Sequence, residues 1–263
     1  MESYHLTNYV LNPYMGYRVT LPNDDAWGYP LLAGCVALGY DAAISRHVVV
    51  HFAYKKRNPE NRAYELRCHV MLVDDYNEWE RARSPPPRPV AEDVSPAYAN
   101  GKIHWVVDSQ LGAPPSYAAA AAACELVALD MEAREPAVPC RHGDGKMTIL
   151  KLHGALCVAC SDKATDAINI WMVKGDGAWS MEYRVELGEF SSETTTPMAV
   201  DPMDGRVLLN TGTSLGYYDP KTAALETIYS VSIPDYGDDF PCRDRFYPVI
   251  CQESPVRVDR GLF

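Results

Sequence analysis

Short runs of β-branched and aromatic residues recur along the chain, each closed by turn residues. HVVVHFAY (His47 to Tyr54), YELRCHVMLV (Tyr64 to Val73), INIWMVK (Ile168 to Lys174) and RVLLN (Arg206 to Asn210) have the length and composition of strands. The run Ala118 to Cys124 has high helix propensity but is too short to offset helix nucleation, so it reads as part of a low-complexity loop, SQLGAPPSYAAAAAA. The Pro-rich Ser84 to Pro96 reads as an extended connector, partly polyproline II. Strand-like runs continue on both sides of each segment, so residues 1–263 are expected to form a single domain.

The strand pattern repeats. YANGKIHWVVD, KLHGALCVACS and VDPMDGRVLLN superpose on Gly101, Gly154 and Gly205, and 154 − 101 = 53 while 205 − 154 = 51. In each copy an apolar strand turns at a glycine and continues into a second apolar strand, the pattern of a tight hairpin with positive φ at the turn. A second hairpin follows: ELVALDMEAREPAV, INIWMVKGDGAWSMEYRVEL and LGYYDPKTAALETIYSV. YVLNPYMGYRVTLP is one more second half, and a divergent full copy runs from GCVALGYD through WERAR. Four antiparallel strands in about 40 to 50 residues is the size of a propeller blade. The expected fold is all-β, a β-propeller of about five such blades. Its ring is either incomplete or closed by pairing the N-terminal strands with RFYPVICQESPVRV (Arg245 to Val258). A two-sheet sandwich is the competing all-β fold, and it needs no such repeat.

With strands A to D counted from the axis outward, the A–B and C–D turns lie at one end of a blade. The B–C loops and the D–A links lie at the other. The A–B and C–D turns here are mostly short, whereas KKRNPENRA, SPPPRPVAEDV, DSQLGAPPSYAAAAAA, CRHGDGKM, GEFSSETTT and SIPDYGDDFPCRDR fall at B–C or D–A positions. Recognition is expected at that second end.

These segments, in order from Tyr9 to Ser230, resemble the plant F-box-associated, kelch-like β-propeller family, with wording similar to its grass members. The resemblance rests on NPYMG with LP, NGKIHW, GALCVAC followed by INIWMVK and W, and YDPKT. It implies a substrate-receptor role: the propeller binds a target protein, while an F-box contacts the Skp-type adaptor of a cullin-based ubiquitin ligase. The helical F-box that usually opens such proteins is not found in this sequence. Adaptor and cullin are therefore expected as partners only if an F-box is supplied elsewhere, and a truncated family member is the alternative.

Composition narrows the chemistry. The net charge of −11 repels a phosphate backbone, so no nucleic acid is expected as partner. The best basic run, YKKRNPENR (Tyr54 to Arg62), reads as a solvated loop. No apolar run approaches the roughly 20 residues of a spanning helix, so no membrane is expected. MESYHLTNYVLNPYMGYR lacks the features of a secretory signal, which favours the cytoplasm or nucleus and eight buried free thiols.

Cys157 and Cys160 form the single C-x-x-C, but a structural zinc site needs four ligands, and Cys140 with His142 would have to approach from a loop. In a strand the two cysteines point to opposite faces. His47 and His51 share a strand face more than about 10 Å apart, too far to share a metal. Asp74–Asp75 and Asp238–Asp239 are loop residues that nothing in the sequence gathers around a substrate. Trp79, Trp105, Trp171 and Trp179 recur at strand positions and are expected mostly in packing between sheets. No catalytic, cofactor or metal residue is assigned, and no partner-binding residue is identified. A non-catalytic protein-binding module is the expectation, and a propeller enzyme of hydrolase or oxidase type is the alternative.

Overall fold

Among the described residues, apolar runs form strands that pair with their chain neighbours within each sheet. In the computed structural model the described residues are 9–22, 35–73, 78–82, 88–112, 125–128, 145–175, 177–188, 190–231, 248 and 250. Among them there is no helix. The strands fall into two units, β1 to β9 and β10 to β17.

In the first unit, β1 (Tyr9–Asn12) and β2 (Tyr17–Thr20) form a hairpin. β3 (Val36–Asp41), β4 (Arg46–Asn58), β5 (Ala63–Leu72) and β6 (Glu80–Arg81) form a four-stranded antiparallel meander. β7 (Ala97–Ala99), β8 (Lys102–Val106) and β9 (Leu126–Ala128) make a three-stranded sheet. The second unit holds two further meanders. One comprises β10 (Met147–Leu152), β11 (Ala155–Asp162), β12 (Ala167–Val173) and β13 (Trp179–Glu186). The other comprises β14 (Thr196–Val200), β15 (Val207–Asn210), β16 (Ser214–Asp219) and β17 (Ala224–Ser230). The five sheets thus coincide with the five segments of the sequence repeat. Three have all four strands among the described residues, and the rest of ELVALDMEAREPAV lies outside them. So do the run Ala118 to Cys124, residues 84–87 of the Pro-rich connector, Asp74–Asp75, Asp238–Asp239, Cys140, His142 and nearly all of Arg245 to Val258.

Packing follows from strand parity. On β4, Val50 and Phe52 face one way and pack with Ile103 and Trp105 of β8; the Phe52 and Trp105 rings are 4.5 Å apart. Val49 faces the other way and joins Met71 and Val73 against Val10, Val19 and Leu21 of the β1–β2 segment. The meander β3 to β6 is therefore covered on both faces, and each fully buried large side chain contributes about 1.5–3 kcal/mol. In the second unit Leu150, Cys157, Ile168, Ile170 and Val185 pack with Val200, Val207, Leu209 and Tyr218 of the last sheet.

Cys157 lies in that inter-sheet core. Cys160, three residues on in the same strand, takes the opposite parity and is absent from it. The two cysteines thus point to opposite faces, as strand geometry requires. Burial pushes the Cys157 thiol up to about 11. The expectation of eight free thiols needs correction: Cys35, Cys68 and Cys157 are free, but Cys160 is disulfide-bonded. Its partner lies outside the described residues.

The turns divide into two kinds. Asn100-Gly101 and His153-Gly154 are two-residue turns with φ of 53° and 77°, and 48° and 82°, the mirror-image type I′ geometry that suits strand twist. The third aligned glycine behaves differently. Asp201 and Arg206 close a four-residue loop, Pro202 to Gly205, so the DG there is not a two-residue turn.

Loops of this second kind recur after Asn12, Asp41, Asn58, Asp162, Asp201 and Asp219. In every one the closing Asn or Asp side chain accepts a backbone N–H inside the loop: from Met15, Ala43, Glu60, Ala164, Met203 and Lys221 respectively. The fourth loop residue is always left-handed: Gly16, Ser45, Arg62, Asp166, Gly205 and Ala223. Pro13, Pro59, Pro202 and Pro220 occupy the first loop position, where a fixed φ pre-forms the turn. The signature is legible in NPYMG, NPENR, DPMDG and DPKTA.

Replacing Gly154 with Val forces a β-branched residue to φ of 82°. Urea unfolding is expected to show a loss of about 1–3 kcal/mol; unchanged stability would remove the turn assignment. Peptide mapping without reductant is expected to find Cys160 disulfide-linked and Cys157 alkylated only after denaturation. Cys160 alkylated in the native chain would contradict the bond.

Candidate functional site

The strongest polar assembly lies where the basic run was expected to be a solvated loop, and that expectation is corrected. Most of KKRNPENRA is strand: β4 reaches Asn58, β5 begins at Ala63, and only Pro59 to Arg62 form the loop. A bulge in the β4–β5 register falls between Tyr54 and Lys56, leaving Lys55 as the extra residue. Ordinary parity would put Tyr54 and Arg57 on opposite faces. The bulge instead places Tyr54 opposite Leu66 and Arg57 opposite Tyr64, so both face the sheet β7 to β9.

That face reaches the chain on either side of β7 and β8. The Tyr54 hydroxyl donates to the Val90 carbonyl at 2.7 Å and accepts the Val90 N–H at 2.8 Å. Val90 is fully buried and bridges to Val107. Arg57 donates to Asp108, a carboxylate only 5% exposed, at 2.8 Å and lies 3.4 Å from Glu92. Beneath them, burial and then the Glu92 charge push the Cys35 thiol up to about 12, so it is held protonated.

Arg62 completes the assembly. Its Nε donates to the Gly112 carbonyl at 2.8 Å and its guanidinium to the Ser109 carbonyl at 2.7 Å; its own carbonyl accepts the Gly112 N–H at 2.8 Å. The backbone at Arg62 has φ of 57°, at the loop position where Gly16 and Gly205 sit elsewhere. Holding a long side chain there costs strain that its three carbonyl-directed contacts offset.

The second unit repeats the device with other residues. Asp166, fourth in the β11–β12 loop, accepts from the N–H and hydroxyl of buried Ser192, on the link from β13 to β14. The Ser161 hydroxyl donates to the Ser192 carbonyl at 2.6 Å, and Lys146 donates to the carbonyls of Thr194 and Thr195 and to the Thr196 hydroxyl. So in the two four-residue loops at B–C positions the left-handed fourth residue is an anchor, Arg62 or Asp166. In the A–B and C–D loops it is Gly16, Ser45, Gly205 or Ala223.

The anchored end is polar. Lys56, Glu60, Asn61, Ser109 and Gln110 are exposed around these loops of the first unit. Among the described residues, no three His, Cys, Asp or Glu gather closely enough to hold a metal ion.

The histidines combine in a way the sequence did not foretell. His47 packs against Tyr40, with ring centroids 5.2 Å apart. His51 instead pairs across the sheet with His69, at 5.9 Å, and touches Trp79, whose indole donates to the Pro22 carbonyl. Both His51 and His69 are fully buried. Burial, then the charges of Arg67 and Arg81, hold the His69 pKa below its ordinary value. Trp105 is buried between sheets, and Trp171 and Trp179 are half-buried on β12 and β13.

No family model matches the chain, and no curated protein does. Among solved structures it is similar to a structural genomics protein of unknown function from Bacteroides thetaiotaomicron VPI-5482, at 9% identity and a TM-score of 0.37. That match covers 80% of this chain and 49% of the other. A second, Morganella morganii TcdA4, is 10% identical with a TM-score of 0.19, over 74% of this chain and 8% of that one. The chain thus spans about half of the first protein and a small part of the second. Likenesses this low carry no inference about function.

Arg57→Met leaves buried Asp108 without its guanidinium and is expected to cost about 1–3 kcal/mol in urea unfolding. Adding Asp108→Asn is expected to recover part of that loss, and strictly additive losses would show the two residues uncoupled. For His69, a lowered folded pKa means the unfolded chain binds the proton more readily. Its contribution is full above the ordinary value of 6.5 and is lost as pH falls below it. His69→Leu is expected to flatten the decline in melting temperature below that pH; an unchanged profile would remove His69 from the account.

Proposed function

We propose that the chain is a non-catalytic protein-binding module of the β-propeller kind, acting as the substrate-recognition part of a ubiquitin ligase as its resemblance to F-box-associated propellers implies. The observation that carries this is the anchoring of surface loops by Arg57, Arg62, Asp166 and Lys146. Loops pinned through partly buried polar contacts lose little conformational freedom when a partner docks, so more of the contact energy remains as affinity. Meanders stacked through their apolar faces supply the rigid support, and they support a propeller whether its ring is closed or open.

The proposed partner is a target protein, met in the cytoplasm or nucleus. The Skp-type adaptor and cullin join only through an F-box supplied elsewhere. The disulfide at Cys160 is the observation that opposes such a location, because those compartments keep most thiols reduced.

Affinity capture from plant tissue tests the proposal, comparing this chain with a fusion carrying an F-box. Both are expected to retain the same target, with adaptor and cullin recovered only by the fusion. Failure of both to retain any specific protein overturns the binding role. Adaptor and cullin on the unfused chain would overturn the division of labour.

A further inference from the structure

Two buried histidines lie on the face of β4 opposite to the Tyr54–Arg57 assembly. Across the meander β3 to β6, the register aligns Val36, His51, His69 and Arg81 in one row and Leu38, Val49 and Met71 in the next. Strand parity puts both rows on one face, where Val49, Met71 and Val73 pack against Val10, Val19 and Leu21 of the β1–β2 segment. His51 and His69 are fully buried there, with ring centroids 5.9 Å apart.

Trp79 joins the histidines to the hairpin. Its ring lies 5.8 Å from that of His51, it packs into the Val10–Val19–Leu21 cluster, and its indole N–H donates at 3.0 Å to the Pro22 carbonyl. β1 and β2 form a two-stranded sheet of their own, so among the described residues they share no ladder with the meander, and side chains hold them on it. Trp79 therefore stands between His51 and the hairpin. Displacing it hydrates the imidazole and gives up the Pro22 contact together.

The electrostatic surroundings set the direction of the response. Among the described residues, the cations nearest the pair are Arg81 in the same row and Arg67 one row away on β5. Farther along the same face come His47 and Lys56 of β4 and Glu65 of β5, with Tyr40 on β3 beside His47. The hairpin contributes the Tyr17 phenol and uncharged Asn12, and exposed Glu78 precedes Trp79. Burial, then the charges of Arg67 and Arg81, oppose a proton on His69 while this face stays covered. An uncovered face binds the proton more readily, so the covered state is favoured above the ordinary histidine value of 6.5 and loses ground as pH falls below it.

We propose that His51, His69 and Trp79 form an acid-released latch: proton uptake by the imidazoles displaces Trp79, and the β1–β2 hairpin leaves the face it covers while β4 and β5 stay paired. The device turns a fall in pH into exposure of Val49, Met71 and Val73. It is independent of the binding role proposed above.

Hydrogen–deuterium exchange of the full chain from pH 7.5 to 3.5, corrected for the intrinsic pH dependence of amide exchange, tests the latch. Amides of β1 and β2 are expected to lose protection by up to about tenfold per pH unit below 6.5 for each imidazole that takes a proton. Amides of β4, β5 and β11 are expected to keep theirs to pH 5. The double variant His51→Gln/His69→Gln is expected to hold hairpin exchange flat over that range. Trp79→Phe keeps a ring over His51 without the bond to Pro22, and is expected to raise hairpin exchange about fivefold at pH 7.5 while the pH midpoint stays. In the wild type, two histidine resonances in NMR of chain carrying labelled histidine are expected to titrate in step with hairpin exchange.

Hairpin protection unchanged to pH 5, or lost together with that of β4, β5 and β11, overturns the proposal. So does a loss centred near pH 4, where carboxylates titrate, or a loss that persists in the double variant. If the double variant does not fold, the wild-type spectra decide, and hairpin release without two titrating imidazoles overturns the latch.

Discussion

A four-stranded sheet whose inner strands are apolar on both faces has to be covered twice, and most of the structure follows from meeting that demand. Val49, Val50, His51, Phe52 and Ala53 of β4 are all at most 4% exposed, and so are Leu156, Cys157, Val158 and Ala159 of β11. One hairpin or one sheet cannot bury such a strand. Stacking of sheets within each unit supplies the cover: the β1–β2 hairpin and β7 to β9 lie on the first meander, and the last sheet lies on the meander β10 to β13. The four-residue loops, the polar anchors and the placement of charges all accommodate this stacking. They hold neighbouring sheets in position where the strands end and apolar contact gives out.

Much of this was legible in the sequence. Gly101 and Gly154 identify their turns, and the parity of Cys157 and Cys160 follows from strand period alone. The hairpin grammar located all five sheets because hairpins join neighbours in the chain, so their pairing is a local property. What stayed hidden depends on register between strands or on a change of parity. His51 meets His69 only through the β4–β5 ladder, and no spacing within one strand announces that contact. Arg57 meets Asp108 only because a bulge reverses the face it should occupy. KKRNPENR therefore looked like a solvated loop, although it carries the residues that fasten a neighbouring sheet. The disulfide at Cys160 was missed because a strand position says nothing about which distant segment lies against it.

The two ends of the meanders divide their work. At the B–C end, side chains are used inwardly: Arg57, Arg62, Asp166 and Lys146 spend their polar atoms on loop backbone and neighbouring carboxylates. What remains exposed around the first unit's anchored loop is polar: Glu60, Asn61, Ser109 and Gln110. Along β3, Leu38 and Tyr40 are exposed while Gly39 lies against Ile103 behind them. Neither surface requires a cluster of titratable groups.

The recurring loop has a consequence for how the chain reaches its structure. Each turn carries its own stabilising bond, from the closing Asn or Asp to an amide two or three residues on. Such a turn can form before any distant segment arrives. Hairpins seeded in this way assemble in microseconds, and a meander built only from consecutive hairpins has unusually local contacts for an all-β protein. The slow events are then the docking of one finished sheet on another and the search of Cys160 for its partner. A chain growing from its N-terminus can complete one meander before the next has been synthesised. Repetition of a six-residue device thus shortens the interval during which unpaired strands stand open to aggregation.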